Sequence, residues 1–489
     1  MADKQTKNQE NSYRSILKGT SLFGGVQIFQ ILISLIRGKF VALFLGPTGM
    51  GIASLFNSSA NTLSILSSLG LNLAFVKEVA ANKKDPDGLS HVMKVASVLL
   101  YGTAILGAVI CAVMSPWLSE WSFGTRDYTW QYLALSVAIF LMVASSGKMS
   151  LLQGLHRAKI LSLTSLAGAL SGLLAGVPLY YFFGTLGIVP AITVLSLTTF
   201  ICYSIGLRRA MPRRTVRFTW QSHKPTVKRL VSIGLILLAA NLINSGCTYI
   251  INIFVRTLGD IADVGLFNAA NSITLQYAGV VFTAMALDYF PRLTAAGDNN
   301  SEMRLIVNRQ MEIVALIACP LALLLIITAP IVIRLLLTTE FMSATPLMRW
   351  LGFSILLKAM AYPLGYIAFA KNNRRLFFWL EAVVCNILYL GLSLIFYYFF
   401  GLIGLGYAAL VEQGVCVLLY LGVNYCAYGL LPNRRAVTET VLAAAFGTAV
   451  FCASFAKIEA LSYYLMVTVF LICAIRSFVM LRELIKVKG

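Results

Sequence analysis

Four ionisable residues lie within long apolar stretches of this chain, where their chemistry is unusual. They are Arg37, Lys358, Glu381 and Glu412. An ionisable group at membrane depth is costly and usually faces an aqueous pathway or a partner. An Arg guanidinium offers a two-pronged fork and a Lys ammonium a point charge, and both bind phosphate well. We therefore expect Arg37 and Lys358 to bind an anionic cargo that carries phosphate.

Glu381 and Glu412 have two candidate roles, between which the sequence does not decide. Either residue could neutralise Lys358, or it could bind a coupling ion, H+ or Na+. No other cofactor, no catalytic residue and no metal site is expected. The nine Cys residues are scattered without a CxxC pair, so they are interpreted as small buried hydrophobes.

Other cations in the apolar stretches have simpler interpretations. Lys39 lies about 200° round a helix from Arg37, so both cannot point squarely inward. Lys39 is then either a second ligand or a residue that snorkels towards the membrane surface. Lys148, Arg334 and Arg476 lie near the ends of their stretches, where snorkelling is again the simpler interpretation.

Amide side chains form stripes on four of the apolar stretches, at the spacing that places them on one helix face. Such residues can simply hold helices together through hydrogen bonds. Because the four stripes lie on the first two stretches of each half of the chain, we expect a hydrated cavity instead. The first stripe comprises Gln27, Gln30 and Ser34 and leads to Arg37. The predicted substrate-binding residues are Arg37, Lys39, Asn57, Asn61, Asn244, Asn252, Arg256, Asn268, Asn271 and Lys358.

The elements that position these residues are membrane-spanning helices. Of 489 residues, 58% are hydrophobic and 12% are charged, which is too little polar surface for a water-soluble chain. About fourteen apolar stretches are each long enough to cross a bilayer. Lys and Arg gather in alternate connections, so both termini are expected in the cytoplasm. The net charge of +20 then suits anionic lipid headgroups, and no nucleic acid is expected as a partner.

The chain divides into two halves with internal similarity. The string YYFFG occurs at 180–184 and again at 397–401, each time between two apolar stretches. This order is typical of parallel repeats. We predict an all-α polytopic membrane protein of about 14 transmembrane helices, in which two pseudo-symmetric six-helix lobes surround a central cavity. The predicted parts are a first lobe at 1–207, a basic cytoplasmic linker at 208–229, a second lobe at 230–430 and an extra helix pair at 431–489.

Four segments carry a family resemblance. They are RGKFVALFLGPTGMG at 37–51, VGLFNAANSIT at 264–274, DYFPRLT at 288–294 and LLKAMAYPLGYIAFAKNNRRLFFWLEAV at 356–383. With these segments the chain resembles the Wzx-type O-antigen flippases, which belong to the polysaccharide-transporter branch of the multidrug/oligosaccharidyl-lipid/polysaccharide exporter superfamily.

The resemblance implies a flippase of the bacterial inner membrane. Its cargo would be an undecaprenyl-pyrophosphate-linked oligosaccharide, moved from the cytoplasmic to the periplasmic leaflet by alternating access. The partners implied are the lipid bilayer, and an O-antigen polymerase with its chain-length regulator. Because the chain has no Walker A sequence, we expect the membrane gradient rather than ATP to drive transport.

Other functions have weaker support in the sequence. Lipid II flippases and multidrug exporters of the same superfamily are the transport alternatives, although a drug exporter would sooner use an acidic cavity. A polyprenyl-linked glycan polymerase or transferase is the enzymatic alternative. A transferase would need an acidic sugar-nucleotide site, and the one DxD string, at Asp85 and Asp87, lies in a short loop. We therefore expect a transporter and not an enzyme.

Overall fold

The computed structural model describes residues 2–83, 85–210, 220–297, 299–454 and 459–486. Within these ranges every regular element is helical, which confirms the predicted all-α fold class. The side chain of Gln27 lies outside the described residues. The α-helices are α1 Ala2–Ser67, α2 Leu71–Ala81, α3 Pro86–Phe123, α4 Thr129–Gly154, α5 Ala158–Phe183, α6 Ile188–Ala210, α7 Trp220–Leu258, α8 Ile261–Ala296, α9 Asn300–Leu336, α10 Thr345–Ala370, α11 Arg374–Phe377, α12 Cys385–Phe400, α13 Leu402–Tyr428, α14 Arg434–Ala453 and α15 Glu459–Lys486.

Eleven helical stretches among the described residues are long and apolar enough to cross a membrane. The two longest are Ala158–Ala210 with 53 residues and Ile28–Ser67 with 40 residues. One crossing takes about 20 residues, so each of these two stretches has the length for two. The chain is a multi-pass membrane protein. The count of fourteen spans and the cytoplasmic termini stay predictions.

Glycines in the left-handed region end several of the long helices. Gly46 has φ 63° and is followed by Pro47, so α1 breaks there, within the Gly-Pro turn of the first family segment. Gly184 has φ 55° at the end of α5, and Gly401 has φ 60° at the end of α12. These last two close the two YYFFG strings. In both strings the glycine N–H donates to the carbonyl oxygen of the first Tyr, four residues earlier. The repeated strings therefore adopt the same helix-ending geometry.

The contacts divide the chain into two compact units, Met1–Thr257 and Leu258–Gly489. The helix α7 belongs to the first unit by its contacts. The linker predicted at 208–229 lies partly outside the described residues, at 211–219, and the predicted halving of the chain stays a prediction.

Small residues bring α5 and α6 close together in the first unit. A Cβ added at Gly168 would lie 3.1 Å from the Thr199 Cα, and one at Gly172 would lie 3.2 Å from the Leu195 Cα. Glycines four residues apart let two membrane helices approach at the level of their backbones. In the same unit α3 packs on α4, and α4 on α6.

In the second unit α10 packs on α9 and α13, and α12 packs on α13. The C-terminal helices α14 and α15 pack on α9. An ion pair joins these two helices, since Arg476 Nη2 lies 2.7 Å from Glu439 Oε2, and Glu439 is buried. The interpretation of Arg476 as a snorkelling residue is therefore wrong, because its guanidinium turns inward to a buried carboxylate.

Candidate functional site

Three of the predicted charged residues come together in the second unit. Lys358 lies on α10 and Glu412 on α13, and Glu381 lies in a π-helical segment, Phe378–Val384, that leads into α12. Single turns of π-helix within α-helices are frequent at functional sites. The side-chain amide nitrogen of Asn386 donates to the Glu381 backbone carbonyl oxygen, 2.9 Å away and five residues earlier. This side chain therefore gives a carbonyl of the irregular turn a hydrogen-bond donor.

Tyr420 holds the Glu381 carboxylate in place, and Gly365 leaves room for it. The Tyr420 hydroxyl on α13 donates to Glu381 Oε1 over 2.6 Å. On α10, a Cβ added at Gly365 would lie 2.6 Å from the same oxygen and 3.4 Å from Tyr420 Cζ. The absence of a side chain at Gly365 therefore provides the space in which the carboxylate and the phenol meet.

Glu412 is 6% exposed and has its own partners on α13. Gln413 Nε2 donates to Glu412 Oε2 over 2.7 Å, and the Cys416 thiol donates to Oε1 over 3.1 Å. The charge of Lys358 acts on both Glu412 and Glu381. Yet among the described residues no ion pair within 4.0 Å joins Lys358 to either carboxylate. Lys358 is therefore close enough to be influenced by both carboxylates and remains available to another anion.

The sequence interpretation missed the thiols of this cluster. Cys416 Sγ lies 2.9 Å from Cys385 Sγ on α12, and the Tyr420 hydroxyl lies 3.4 Å from the Cys385 sulfur. Glu412, Cys416 and Tyr420 follow one another at intervals of four residues, which places them on one face of α13. That spacing was visible in the sequence. The position of Cys385 against this face depends on the packing of α12 on α13.

Arg37 and Lys39 differ in exposure, as their angular separation predicts. Arg37 is half-buried, and its charge acts on the Tyr180 hydroxyl of α5. Lys39 is exposed. Among the described residues no carboxylate lies within 4.0 Å of the Arg37 guanidinium. Arg37 is thus a half-buried cation of the first unit that no carboxylate of the described residues neutralises directly.

Asn61, one of the predicted substrate-binding amides, makes a contact between helices. Asn61 Nδ2 on α1 donates to Ser245 Oγ on α7 over 3.1 Å, and Thr62 Oγ1 lies 3.0 Å from the same oxygen. Asn57 and Asn268 each donate to the carbonyl oxygen four residues earlier on their own helix, over 2.8 Å and 2.9 Å. Asn57 and Asn268 therefore share one side-chain geometry, in which the amide bonds to its own helix.

The remaining amides differ in exposure. Asn244 is exposed, Asn271 is half-buried and Asn252 is 1% exposed. None of these differences assigns a ligand. They do place Asn252 within the packing of the first unit, and Asn244 on its surface.

Arg256, a predicted substrate-binding residue on α7, is bound to backbone carbonyl groups. Its Nε donates to the Ser122 carbonyl oxygen over 3.0 Å, and its Nη2 donates to the Trp121 carbonyl oxygen over 2.8 Å. These carbonyls belong to the last turn of α3, where a cation is favoured. The Tyr249 hydroxyl lies 2.6 Å from the Ser122 hydroxyl, which extends the same network. The guanidinium thus holds α7 to the end of α3.

Lys148 is a buried cation that the sequence interpretation assigned to snorkelling. The residue is 8% exposed, and its ammonium donates to Ser204 Oγ over 2.6 Å. It also lies 3.7 Å from the centre of the Phe200 ring, in a cation–π contact. The snorkelling interpretation is wrong for Lys148, because α6 offers the ammonium a hydroxyl and an aromatic face within the helix packing.

Comparisons with known proteins find one family and a shared fold. The family model described as "Polysaccharide biosynthesis protein" matches residues 40–346. The Lipid III flippase of Escherichia coli (strain K12) is 24% identical over 370 residues, which cover 74% of this chain and 87% of that protein. The Lipid III flippase of Shigella flexneri matches to the same extent.

Two solved structures have the same fold at low identity. A multidrug resistance MATE family transporter of the MOP superfamily, in an inward-facing conformation, has a TM-score of 0.68 at 19% identity, covering 80% of this chain and 93% of that one. The lipid II flippase MurJ, in an inward closed conformation, also has a TM-score of 0.68, at 14% identity, covering 96% of this chain and 100% of that one. These likenesses establish the fold alone.

Proposed function

Since this chain belongs to the polysaccharide biosynthesis protein family, we propose that it moves an undecaprenyl-pyrophosphate-linked oligosaccharide of the O-antigen type from the cytoplasmic to the periplasmic leaflet of the bacterial inner membrane. We infer a membrane transporter and not an enzyme, which the family match and the relatives named as flippases support. Transport of a lipid-linked glycan is supported by the family match and by the relatives named as flippases. The O-antigen substrate is the finer part of the proposal.

The observation that carries the proposal is the half-buried Lys358 ammonium in the apolar helix α10. Its charge acts on Glu381 and Glu412 without a direct ion pair to either. A charge-assisted hydrogen bond from this ammonium to a pyrophosphate oxygen would contribute about 1.5–3 kcal/mol. A pyrophosphate-linked lipid supplies such an oxygen, and its polyprenyl chain stays in the bilayer.

The two carboxylates would regulate this binding through their charge. With both ionised, Glu381 and Glu412 outweigh the single charge of Lys358 and repel a pyrophosphate. A cation bound at Glu381, H+ or Na+, removes one of these negative charges, so cation and pyrophosphate would bind together. The charged and titratable groups around Glu381 are Lys358 and Tyr366 on α10, Cys385 on α12, and Glu412 and Tyr420 on α13.

The membrane potential is then the proposed driving force. A pyrophosphate headgroup that leaves with one bound cation still carries negative charge outward, and the potential, negative inside, favours that direction. Each elementary charge that crosses 100 mV contributes about 2.3 kcal/mol, or roughly a fiftyfold change in an equilibrium ratio. No nucleotide is needed for this step.

Arg37 is proposed as a second phosphate-binding cation, contributed by the first unit. Asn57 is exposed, and its Nδ2 already donates to its own helix, which leaves its Oδ1 to accept from a sugar hydroxyl. The other proposed contacts to the cargo are Lys39, Asn61, Asn244, Arg256, Asn268 and Asn271. An O-antigen polymerase and its chain-length regulator would act on the product in the periplasmic leaflet.

Lipid III is the second candidate cargo, favoured by the 24% identity to the Lipid III flippase. The test is translocation by the purified chain in liposomes, measured with fluorescent probe lipids and an impermeant quencher. We expect translocation of undecaprenyl-pyrophosphate probes that carry O-antigen or lipid III sugars. The faster of the two probes identifies the preferred cargo. A chain that moves a cationic drug, or a neutral polyprenyl glycan, as fast as either pyrophosphate probe would contradict the proposal.

A further inference from the structure

Three buried side chains of the second unit could together hold a metal ion. The ligand atoms of Cys385, Glu412 and Cys416 all lie within 4.8 Å of one another. Their residues are 8%, 6% and 2% exposed. Two come from one face of α13 and the third is the first residue of α12, so the packing of two neighbouring helices assembles the set. We propose that these residues bind a thiophilic divalent cation of the Zn2+ class.

The donor atoms decide the chemical class of the ion. Two thiolates and one carboxylate oxygen favour Zn2+ or Cd2+, whereas Na+, Mg2+ and Ca2+ prefer oxygen alone. Three protein ligands leave the fourth position of a tetrahedral ion to another donor. The Tyr420 hydroxyl lies 3.4 Å from the Cys385 sulfur, next to the three ligands. The site is therefore distinct in chemistry from the proposed H+ or Na+ site at Glu381.

A divalent ion would neutralise most of the charge of its ligands. Two thiolates and the Glu412 carboxylate carry three negative charges, and the ion supplies two positive charges. The occupied site would then carry one net negative charge, which is less costly in a membrane interior than three. Binding would release the two thiol protons, since thiolates and not thiols are the ligands.

Binding requires a small local adjustment. The two sulfur atoms are 2.9 Å apart, whereas two thiolates on one tetrahedral zinc, with bonds of about 2.3 Å, lie about 3.8 Å apart. The two sulfur atoms would have to move apart by about 0.9 Å. Cys385 directly follows the π-helical segment Phe378–Val384, which is the irregular part of the helix and the part most able to adjust.

The second unit contains a matched control for this site. Cys473 Sγ lies 3.3 Å from Cys319 Sγ, so these thiols form a second close and buried pair. The further partner of Cys319 is the Ala443 carbonyl oxygen, at 3.6 Å, and no carboxylate oxygen completes a set of three within the described residues. Both Cys385–Cys416 and Cys319–Cys473 are therefore close thiol pairs, but among the described residues a third ligand atom accompanies only the first pair.

The test is Cd2+ binding to the purified, reduced, full-length chain, in which the exposed Cys426 and Cys452 are replaced by Ser. Ultraviolet thiolate-to-cadmium absorption reports the ligands, and equilibrium dialysis reports the stoichiometry. We expect one Cd2+ per chain. Cys385→Ser and Cys416→Ser should each weaken binding by more than the roughly 10- to 100-fold that outer-shell changes cost. Glu412→Gln should weaken it as well.

The control is the double variant Cys319→Ser with Cys473→Ser, which should bind Cd2+ as the parent does. X-ray absorption of the zinc-loaded chain should find two sulfur neighbours at about 2.3 Å. Absence of binding, binding that survives the loss of Cys385 and Cys416, or a disulfide between these residues that persists under reducing conditions would each overturn the proposal. The test measures no transport, so its outcome is independent of the proposed function.

Discussion

The packing around Glu381 predicts that adding a single methyl group at Gly365 destabilises the chain. A Cβ at this position would lie 2.6 Å from Glu381 Oε1, a distance that real side chains do not tolerate. The carboxylate must therefore shift, and we expect this shift to break the hydrogen bond that the Tyr420 hydroxyl donates to it over 2.6 Å. A hydrogen bond to a charged group contributes about 1.5–3 kcal/mol. Alanine in a helix interior recovers about 1 kcal/mol relative to glycine. The net loss expected for Gly365→Ala is about 0.5–2 kcal/mol.

Two other glycines of the second unit provide matched controls. A Cβ added at Gly391 on α12 or at Gly422 on α13 would meet no atom within 4 Å. Gly391→Ala and Gly422→Ala should therefore stabilise the chain by up to about 1 kcal/mol. The assay is the free energy of unfolding in detergent, measured for all three variants under one condition. If Gly365→Ala is as stable as the two controls, the carboxylate is not held where we describe it.

Three further predictions follow from contacts outside this cluster. Arg256→Ala should lower the free energy of unfolding by about 1.5–3 kcal/mol, because two backbone carbonyls at the end of α3 lose their donor. Unchanged stability would show that this contact is dispensable. Arg476→Leu should lower the free energy of unfolding by about 2–4 kcal/mol, because it leaves Glu439 buried without its cation. Adding Glu439→Leu should restore part of that loss. A double variant less stable than the single one would refute this account. In a variant without native Cys, Thr125→Cys should react with an impermeant maleimide in intact cells and Asn373→Cys should not, and the opposite labelling would reverse the predicted orientation.

The fold could be predicted from the sequence because membrane helices have a strong signal. A run of about 20 apolar residues can satisfy its backbone in a bilayer only as a helix, so hydropathy alone locates most elements. The strings at 180–184 and 397–401 also marked two helix ends that share their geometry. The number of crossings is harder to read, since stretches such as Ala158–Ala210 continue through a turn without a polar break.

The charged members of the site could be located because a charge in an apolar stretch is costly. Lys358, Glu381 and Glu412 stood out for this reason and do lie together in the second unit. Tyr420, which donates to the Glu381 carboxylate, and Gly365, which leaves room for it, are uncharged and do not stand out in an apolar stretch. Their roles depend on how α10 and α13 are rotated against each other, and hydropathy does not report that rotation.

Local irregularity and distant pairing explain the remaining misses. The π-helical turn at Phe378–Val384 changes the register of the helix, so a regular period of 3.6 residues cannot give the face on which Glu381 lies. The partners of Arg476 and Lys148 lie on other helices, at Glu439 and Ser204. No spacing within one helix could have identified these contacts.

The central claim is that Lys358 binds the pyrophosphate of the cargo, and translocation at an imposed membrane potential tests it most directly. The rate for an undecaprenyl-pyrophosphate-linked oligosaccharide would be compared in proteoliposomes between the unchanged chain, Lys358→Ala, Lys358→Arg and, as a control, Lys94→Ala at an exposed lysine. Loss of a charge-assisted contact of about 1.5–3 kcal/mol predicts a roughly 10- to 100-fold slower rate for Lys358→Ala, a milder loss for Lys358→Arg and no change for the control. A folded Lys358→Ala variant that translocates the lipid at the unchanged rate would contradict the account.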